Sequence, residues 1–360
     1  MFTVLLTDGE FTGLIRTLRD AYNGNVRIVG LSSDPFFPHQ ALLDSYYIVP
    51  LCSDSSYIDT LISIVRNEKA EIIFPIVTEG LEDLLANERR IFEESGARIL
   101  SSPFSAIRIA NDKGLLYSHI AERCPDLAGI VPLYVLADTK GQLFEAMREI
   151  EAGGRIACIK KRRGENAAGF WIIDKISDYA SLVFNESPSR LLSKSVLSSM
   201  LQNLSDEDAI PPYMAVEYLP GEEWDCDVLC MNGKVISITT RKNIRMTEGL
   251  TAVLEVAPNP ELEGYCSQIV SLLGLSYIVC ISFKGSLDGT FKLLEINPRV
   301  MGNILVSALA GNNYVRMAVD LLNGENVTPA PIEYGIRTAL YYDQMRILNT
   351  RTSEETGDRK

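Results

Sequence analysis

The stretch from residue 291 to residue 303 constrains this chain more than any other, because an apolar strand ends there in a fixed set of polar side chains. Residues alternate between the two faces of a strand, so Glu295 and Asn297 lie side by side on one face. Their oxygen atoms are hard ligands at a spacing that suits a Mg²⁺ ion. Pro298 ends the strand, and Arg299 follows with a guanidinium that can bind a phosphate or carboxylate in bidentate fashion. By itself, the Glu-x-Asn pair is more typical of a strand that leaves the core through a polar turn.

The size and charge of the chain narrow the classes of partner. With 360 residues it is long enough for two or three domains, and its net charge of -13 disfavours nucleic-acid and anionic-membrane partners, which need a basic face. No window approaches the roughly 20 apolar residues of a membrane span, and the first residues lack a basic n-region, so we expect a cytoplasmic protein. Seven cysteines without a CxxC pair, and two histidines, argue against a structural zinc site.

The first 105 residues predict a doubly wound parallel α/β domain, because short apolar strands alternate there with helices. The predicted strands cover residues 4–7, 26–31, 48–50 and 72–76, and the predicted helices cover residues 14–22, 57–67 and 81–95. A Rossmann dehydrogenase is the obvious alternative, and it requires G-x-G-x-x-G after the first strand. This chain has only Gly9 and Gly13 there, which weakens the dinucleotide hypothesis.

A basic loop between two predicted strands is the second polar feature. The strand of residues 155–160 ends in Lys160, and residues 161–169 then lead to a strand at residues 170–173. Such a loop can bring an ammonium and backbone N–H groups onto phosphate oxygens. It is not a Walker A motif, since neither Gly-Lys-Ser/Thr nor a helix follows. The residues alone therefore leave both a phosphate loop and an exposed basic hairpin open.

Residues 214–223 predict a strand, a hinge and a second strand. Backbone groups from Glu217 to Leu219 could recognise the edge of an adenine ring, and Glu223 could accept both ribose hydroxyls. Two acids that flank a turn are ordinarily just solvated. Further on, Arg241 and Arg245 belong to a basic cluster suited to an acyl phosphate or a carboxylate. Such clusters are usually exposed surface residues without a binding role.

The order of these features resembles the ATP-grasp superfamily. The resemblance covers roughly residues 100–325, and it rests on Lys113, on Lys160 with its loop, on the segment from Glu217 to Glu223, and on the string from Glu295 to Arg299. Within the superfamily, it looks closest to the branch of the carbamoyl-phosphate synthetase large subunit and the pyrrolysine type of carboxylate-amine ligase.

The resemblance implies an α/β and α+β architecture in which a two-subdomain ATP-grasp fold follows the N-terminal domain. The expected divisions are an N-terminal domain of residues 1–105, a small subdomain of residues 106–213, a catalytic subdomain of residues 214–345 and a flexible tail of residues 346–360. The implied ATP contacts are Lys113, Lys160, Gly164, Gly169, Glu217, Tyr218, Leu219 and Glu223. Glu295 and Asn297 would bind Mg²⁺ or Mn²⁺, and Arg299, Arg245 and Arg241 would act on the substrate.

The activity implied by the resemblance is ATP-dependent ligation. A small carboxylic or amino acid would become an acyl phosphate, and an amine would then displace phosphate to form an amide. The alternative is an ATP-binding protein of altered chemistry, such as a phosphotransferase, a carbamoyl-phosphate-type enzyme or a non-catalytic subunit. The expected partners are a small carboxylate and a small amine, and a homodimer is left open.

Strand register bears on the predicted metal site. If Asp288 and Gly289 form a two-residue turn, Leu287 pairs with Thr290, and Ser282 lies directly across from Glu295. Members of the superfamily usually carry Glu, Asp or Gln at that position. A serine would be a poorer, neutral ligand, which is the main motive for the alternative of altered chemistry.

Overall fold

The structure, a computed structural model, describes residues 2–7, 12–164, 168–173, 190–247, 250–341 and 343–344. Among the positions singled out above, Gly9, residues 165–167 of the basic loop and the tail of residues 346–360 lie outside the described residues. The described residues form three sheets. None of the described helices is both long enough and apolar enough to cross a membrane.

The strands and α-helices are numbered in chain order. The strands are β1 (Phe2–Leu6), β2 (Val26–Ser32), β3 (Ser45–Ile48), β4 (Ile72–Phe74), β5 (Arg98–Ile99), β6 (Tyr134–Thr139), β7 (Ala157–Lys161), β8 (Trp171–Ile173), β9 (Leu191–Leu192), β10 (Ala209–Glu217), β11 (Glu223–Met231), β12 (Lys234–Thr247), β13 (Leu250–Val256), β14 (Tyr277–Gly285), β15 (Phe291–Asn297) and β16 (Arg337–Ala339). The helices are α1 (Thr12–Ala21), α2 (Tyr57–Glu68), α3 (Leu81–Ala86), α4 (Glu88–Ser95), α5 (Phe104–Ala110), α6 (Lys113–Arg123), α7 (Lys140–Ala152), α8 (Lys194–Met200), α9 (Pro260–Leu273), α10 (Leu305–Leu309) and α11 (Tyr314–Leu322).

The first sheet is parallel throughout, in the order β3-β2-β1-β4-β5. Its central strands are buried on both faces, which is why they are continuous apolar runs in the sequence. The predicted doubly wound N-terminal domain is confirmed. The helix predicted over residues 81–95 is instead two helices, α3 and α4. Asn87 lies between them and its side-chain amide donates to the carbonyl of Asp83 at 2.9 Å, a local bond that competes with helix continuation.

Gly13, the second glycine after β1, allows the N-terminal domain to approach the C-terminal part of the chain. A Cβ atom at this position would lie 2.4 Å from the carbonyl oxygen of Gly302. Next to this contact, the side chain of Asn313 donates to the carbonyl of Thr17 at 3.1 Å. Close packing therefore accounts for this glycine without a bound dinucleotide.

The second sheet has the order β6-β10-β7-β8-β9 and packs against α7. β7 and β8 pair antiparallel, so the basic loop does connect two neighbouring strands. β10 runs from Ala209 to Glu217 across the predicted boundary between residues 213 and 214. Its second half pairs with both β6 and β7, and Ala209 also pairs with β6. The second sheet therefore extends to Glu217, and the third sheet begins with β11.

The third sheet is antiparallel, in the order β15-β14-β11-β12-β13-β16. Apolar residues of β11, namely Trp224, Cys226 and Val228, belong to the core cluster that also contains the buried face of α9. Because side chains alternate along a strand, the acidic residues between them lie on the opposite face of the sheet. That second face carries most of the candidate site.

The register of β14 and β15 confirms the predicted pairing of Ser282 with Glu295. The turn that leads to it differs from the prediction, because Gly285 pairs with Phe291 and the loop is one residue longer than expected. A β-bulge between the pairs of Phe283 and Ser282 adds one residue on β15 and restores the expected register. Ser282 and Glu295 are therefore neighbours on the same face of adjacent strands.

Candidate active site

An ion pair between Lys113 and Glu295 forms the centre of the candidate site. The Lys113 ammonium, at the start of α6, lies 3.0 Å from Glu295 Oε2 near the end of β15. The same ammonium donates to the carbonyl oxygen of Gly164 in the basic loop at 3.1 Å. Burial alone raises the pKa of Glu295, but Lys113, the amide of Asn297 and the charge of Lys160 outweigh it and lower that pKa to about 2. Glu295 is therefore an ionised carboxylate across the physiological pH range.

A second ammonium, that of Lys160 on β7, is held nearby by neutral groups. It donates to the hydroxyl oxygen of Tyr117 at 3.1 Å and to the carbonyl oxygen of Leu294 at 3.5 Å. Burial lowers the pKa of Lys160 to about 8, and the charge of Glu295 offsets only part of that effect. A partly buried ammonium with neutral hydrogen-bond partners favours the arrival of an anion, which supplies a counter-charge.

Asn297 and Arg299 extend the site beyond the end of β15. Asn297 Nδ2 donates to Glu295 Oε1 at 3.1 Å, and its Oδ1 accepts from Arg299 at 3.5 Å. Arg299 is 5% exposed, and its Nε donates to Thr78 Oγ1 at 3.2 Å, which joins the site to the N-terminal domain. The structure thus brings together five predicted residues: Lys113, Lys160, Glu295, Asn297 and Arg299.

The basic loop is tied both to α6 and to the N-terminal domain. Arg162 donates to the two carboxylate oxygens of Asp112 at 3.0 and 2.9 Å, and Asp112 also caps the N-terminus of α6. Arg163 donates to Glu82 of α3 at 2.6 Å. These ion pairs hold the first part of the loop beside Lys113.

Two predicted loop glycines have backbones that favour glycine. Gly164 has a φ of 140° and Gly169 has a φ of 73°, both in the left-handed region. A Cβ atom on Gly169 would also lie 2.5 Å from the hydroxyl oxygen of Tyr213. Backbone conformation therefore explains both glycines, and residues 165–167 between them lie outside the described residues.

The segment from Glu217 to Leu219, predicted to bind the edge of an adenine ring, already makes several hydrogen bonds within the protein. The backbone N–H of Glu217 donates to the carbonyl of Leu133 at 3.0 Å, and that of Tyr218 donates to the carbonyl of Ile156 at 2.8 Å. The Glu217 carboxylate, 5% exposed, accepts from the N–H of Leu133 at 2.9 Å. Of the three predicted residues, Leu219 is the one whose N–H has no recorded partner in the part of the chain that the structure describes.

Glu223, predicted to bind ribose hydroxyls, begins β11 and pairs with a lysine. Its Oε2 accepts from Lys284 Nζ at 2.9 Å, and its Oε1 accepts from Asn243 Nδ2 at 3.4 Å. A ribose at this carboxylate would therefore share it with Lys284.

Arg241, predicted as a substrate contact, requires correction. Its side chain is 0% exposed, and its guanidinium donates to Asp227 at 3.0 and 3.2 Å and to Asp225 at 2.8 Å. A buried guanidinium that is bound by two carboxylates does not reach a substrate. Arg245 lies further along β12, where it is exposed, and no described contact joins it to Lys113 or Glu295.

The residues that the sequence predictions missed are Asp225 and Asp227. They lie on the polar face of β11, and Ser282 Oγ donates to Asp225 Oδ1 at 2.6 Å. The strand pairings place Arg241, Asp225, Ser282 and Glu295 in one row across β12, β11, β14 and β15. The strict alternation of acidic and apolar residues from 223 to 228 was the available signal, because it predicts a strand with one acidic face.

The donor atoms of the site fit a nucleotide with a divalent metal ion. Glu295 and Asn297 offer a carboxylate and an amide oxygen, and Mg²⁺ combines few such protein ligands with phosphate oxygens and water. The ammonium groups of Lys113 and Lys160 beside them fit phosphate. Within the described ranges, no group of three or more His, Cys, Asp or Glu side chains is arranged to hold a metal ion.

Family models match two parts of the chain. Residues 209–342 match the model described as "ATP-grasp in the biosynthetic pathway with Ter operon". The chain carries an ATP-grasp domain. Residues 4–100 match the model described as "PylC-like, N-terminal domain", so a PylC-like domain precedes the ATP-grasp domain. The predicted superfamily is confirmed. No curated protein matches the sequence significantly.

Solved structures share the fold over nearly the whole chain. The ADP complex of N5-carboxyaminoimidazole ribonucleotide synthetase has a TM-score of 0.66 at 14% identity, and the match covers 93% of this chain and 80% of that one. The ADP complex of N5-carboxyaminoimidazole synthetase from Staphylococcus aureus has a TM-score of 0.64 at 15% identity, covering 92% and 80%. The biotin carboxylase domain dimer of Hydrogenobacter thermophilus 2-oxoglutarate carboxylase, with MgADP and bicarbonate, has a TM-score of 0.62 at 18% identity, covering 93% and 73%. These matches confirm the predicted fold class.

Proposed function

We propose that this protein is an ATP-dependent carboxylate-amine ligase, which activates a small carboxylic or amino acid as an acyl phosphate and joins it to an amine. The observation that carries the proposal is the meeting of two lysines, Lys113 and Lys160, with the carboxylate of Glu295, which lies within the residues that match the ATP-grasp model. The three structural relatives named above were solved with ADP bound, which supports a nucleotide at the same place.

The nucleotide phosphates would bind to the two ammonium groups. Lys160 gains a counter-ion from a phosphate, which neutral Tyr117 and Leu294 do not supply. Lys113 would exchange part of its contact with Glu295 for phosphate oxygens. The N–H of Leu219 would meet the adenine edge, and Glu223 would bind the ribose in competition with Lys284.

Glu295 and Asn297 would hold Mg²⁺, or Mn²⁺, which suits the same oxygen donors. When bound, such an ion neutralises charge on the phosphates of the nucleotide. The contribution of the protein is to keep Glu295 ionised and to aim the Asn297 amide, and the depressed pKa of Glu295 supports this role.

Arg299 would hold the substrate carboxylate for phosphoryl transfer. A carboxylate oxygen attacks the γ-phosphorus, the bond from that phosphorus to the β–γ bridging oxygen breaks, and ADP leaves with the electron pair. The amine then attacks the acyl carbon, the bond from that carbon to the phosphate oxygen breaks, and phosphate leaves while the nitrogen loses a proton to solvent. Closure of the basic loop would exclude water from the acyl phosphate.

The substrate would bind beside the N-terminal domain. A cavity of about 170 Å³ lies at the carboxyl edge of the first sheet, and residues on both sides of Thr78, the Arg299 partner, line it. Hydroxyl groups of Ser32 and Ser33 and the carboxylate of Glu79 offer polar contacts there. Ligands of open α/β sheets bind outside the carboxyl ends of the strands, which supports this location.

Acyl-hydroxamate trapping tests the proposal. The protein is incubated with ATP, Mg²⁺, hydroxylamine and a panel of small carboxylates, and we expect an acyl hydroxamate and ADP with at least one of them. Lys160→Met should abolish the product. Lys140→Met is the matched control, because Lys140 is also largely buried and bound to a carbonyl, that of Leu204 at 2.6 Å, in the same part of the chain. ADP binding without hydroxamate would instead support altered chemistry, which the neutral Ser282 favours.

The quaternary structure is a separate proposal. The biotin carboxylase domain compared above was solved as a dimer. A homodimer of this chain would appear in sedimentation equilibrium as twice the mass of 39.9 kDa.

A further inference from the structure

The row of side chains that leads from Arg241 to Glu295 points to a role for Ser282. We propose that the Ser282 hydroxyl oxygen is a third, neutral ligand of the metal beside Glu295 and Asn297, and that Asp225 is the positioning residue that orients it. The inference rests on the proposed nucleotide and metal site, and it assigns a chemical role to the position where the superfamily usually has Glu, Asp or Gln.

Ser282 on β14 pairs with Glu295 on β15 on one side and with Asp225 on β11 on the other. Directly paired residues of antiparallel strands have Cβ atoms roughly 5 Å apart and share one face of the sheet. Ser282 therefore stands between the two carboxylates, and it is 6% exposed.

The hydroxyl of Ser282 directs its proton away from Glu295. Ser282 Oγ donates to Asp225 Oδ1 at 2.6 Å, toward β11 and away from β15. A hydroxyl has a single proton and two lone pairs, so this bond leaves the lone pairs available on the side of Glu295. The oxygen also gains electron density from a strong, charge-assisted acceptor, which makes it a better ligand.

Asp225 is itself held so that it cannot replace Ser282. Its Oδ2 accepts from Arg241 at 2.8 Å and from Asn243 Nδ2 at 3.0 Å. Arg241 is fully buried, and its other edge is bound by both oxygens of Asp227. Arg241 thus acts through Asp225 rather than on a substrate. The side chain that β14 places next to Glu295 is therefore a neutral hydroxyl, where a carboxylate would add a negative charge.

Mn²⁺ binding measured by electron paramagnetic resonance at saturating ADP tests the inference, together with calorimetric ADP binding in EDTA. We expect Ser282→Ala to weaken Mn²⁺ binding about tenfold, the lower end of the effect of losing a group that supports a metal site. ADP binding in EDTA should stay within about twofold of wild type. Ser282→Thr, which keeps the hydroxyl, should restore most of the Mn²⁺ affinity.

Two further variants separate a ligand from a structural serine. Ser307→Ala is the matched control, because buried Ser307 Oγ donates to Asp227 of the same ion cluster at 3.4 Å. It should bind Mn²⁺ like wild type. Asp225→Asn as a single change should weaken Mn²⁺ binding. Combined with Ser282→Ala, it should cause little further loss of Mn²⁺ affinity, because the two residues act as one unit.

The outcomes distinguish this inference from the proposed function. If wild type shows neither ADP binding nor Mn²⁺ binding, the proposed function itself fails. If wild type binds both and Ser282→Ala binds Mn²⁺ equally well, the inference alone is overturned. Equal losses in Ser282→Ala and Ser307→Ala, or a loss of ADP binding in EDTA, would also overturn it.

Discussion

The lowered pKa of Lys160 predicts how nucleotide affinity depends on pH. With a pKa of about 8, about nine tenths of the free protein carries the Lys160 charge at pH 7 and about one tenth carries it at pH 9. Phosphate favours the charged form, so the proton must be taken up on binding above pH 8. ADP affinity in EDTA should therefore fall about tenfold from pH 7 to pH 9.

Isothermal titration calorimetry with ADP at pH 7, 8 and 9 measures this effect. In buffers of different ionisation enthalpy, we expect uptake of about one proton per ADP at pH 9 and almost none at pH 7. Lys160→Arg should give a flat profile, because a guanidinium keeps its charge throughout. Lys140→Met should behave as wild type. A flat wild-type profile, or the same fall in Lys160→Arg, would refute the reasoning.

Two further predictions concern stability. Arg241→Met leaves Asp225 and Asp227 buried without their shared cation, so it should lower the free energy of unfolding, measured in urea titrations, by about 3–5 kcal/mol. Arg337→Met is the control, because it breaks the exposed Arg337–Glu255 pair and should lower the free energy of unfolding by less than about 1 kcal/mol. Equal effects of the two changes would contradict the assigned burial. Gly169→Ala should lower the unfolding midpoint through its positive φ and its contact with the Tyr213 hydroxyl, and Tyr213→Phe in the same chain should recover part of the loss. Gly129→Ala, with open space around the added Cβ, is the control, and an equal effect there would count against the argument.

The predictions that succeeded depend on local patterns. The alternation of strands and helices predicted the N-terminal domain, because burial on both faces leaves continuous apolar strands. The pairing of Ser282 with Glu295 was also correct, although two local details were not. A loop longer by one residue and a bulge on β15 cancel each other, and neither has a strong signal in the sequence.

The features that these local patterns do not reveal depend on contacts between distant parts of the chain. Arg241 belongs to a basic cluster in the sequence, and nothing next to it shows that Asp225 and Asp227 bind its charge in the interior. The strand ending at Glu217 stays with the second sheet because it pairs with β6 and β7, which precede it by more than fifty residues. Pairing of this kind is set by tertiary packing rather than by propensity.

Sequence reasoning led to some residues of the candidate site and missed others. The resemblance to the ATP-grasp superfamily led to Lys113, Lys160 and Glu295, and the structure brings these residues together. The departure at Ser282 was visible in the sequence, but its link to Asp225 required the third strand of the row. The alternation of acids on β11 could have suggested that link.

Transfer of ¹⁸O from the substrate carboxylate to phosphate tests the central claim most directly. A carboxylate identified by hydroxamate trapping is labelled in both oxygens, and the released phosphate is analysed by mass spectrometry after a reaction with ATP and an amine. Formation of an acyl phosphate predicts one ¹⁸O in each phosphate and the other in the amide. Amide formation with unlabelled phosphate would contradict the account.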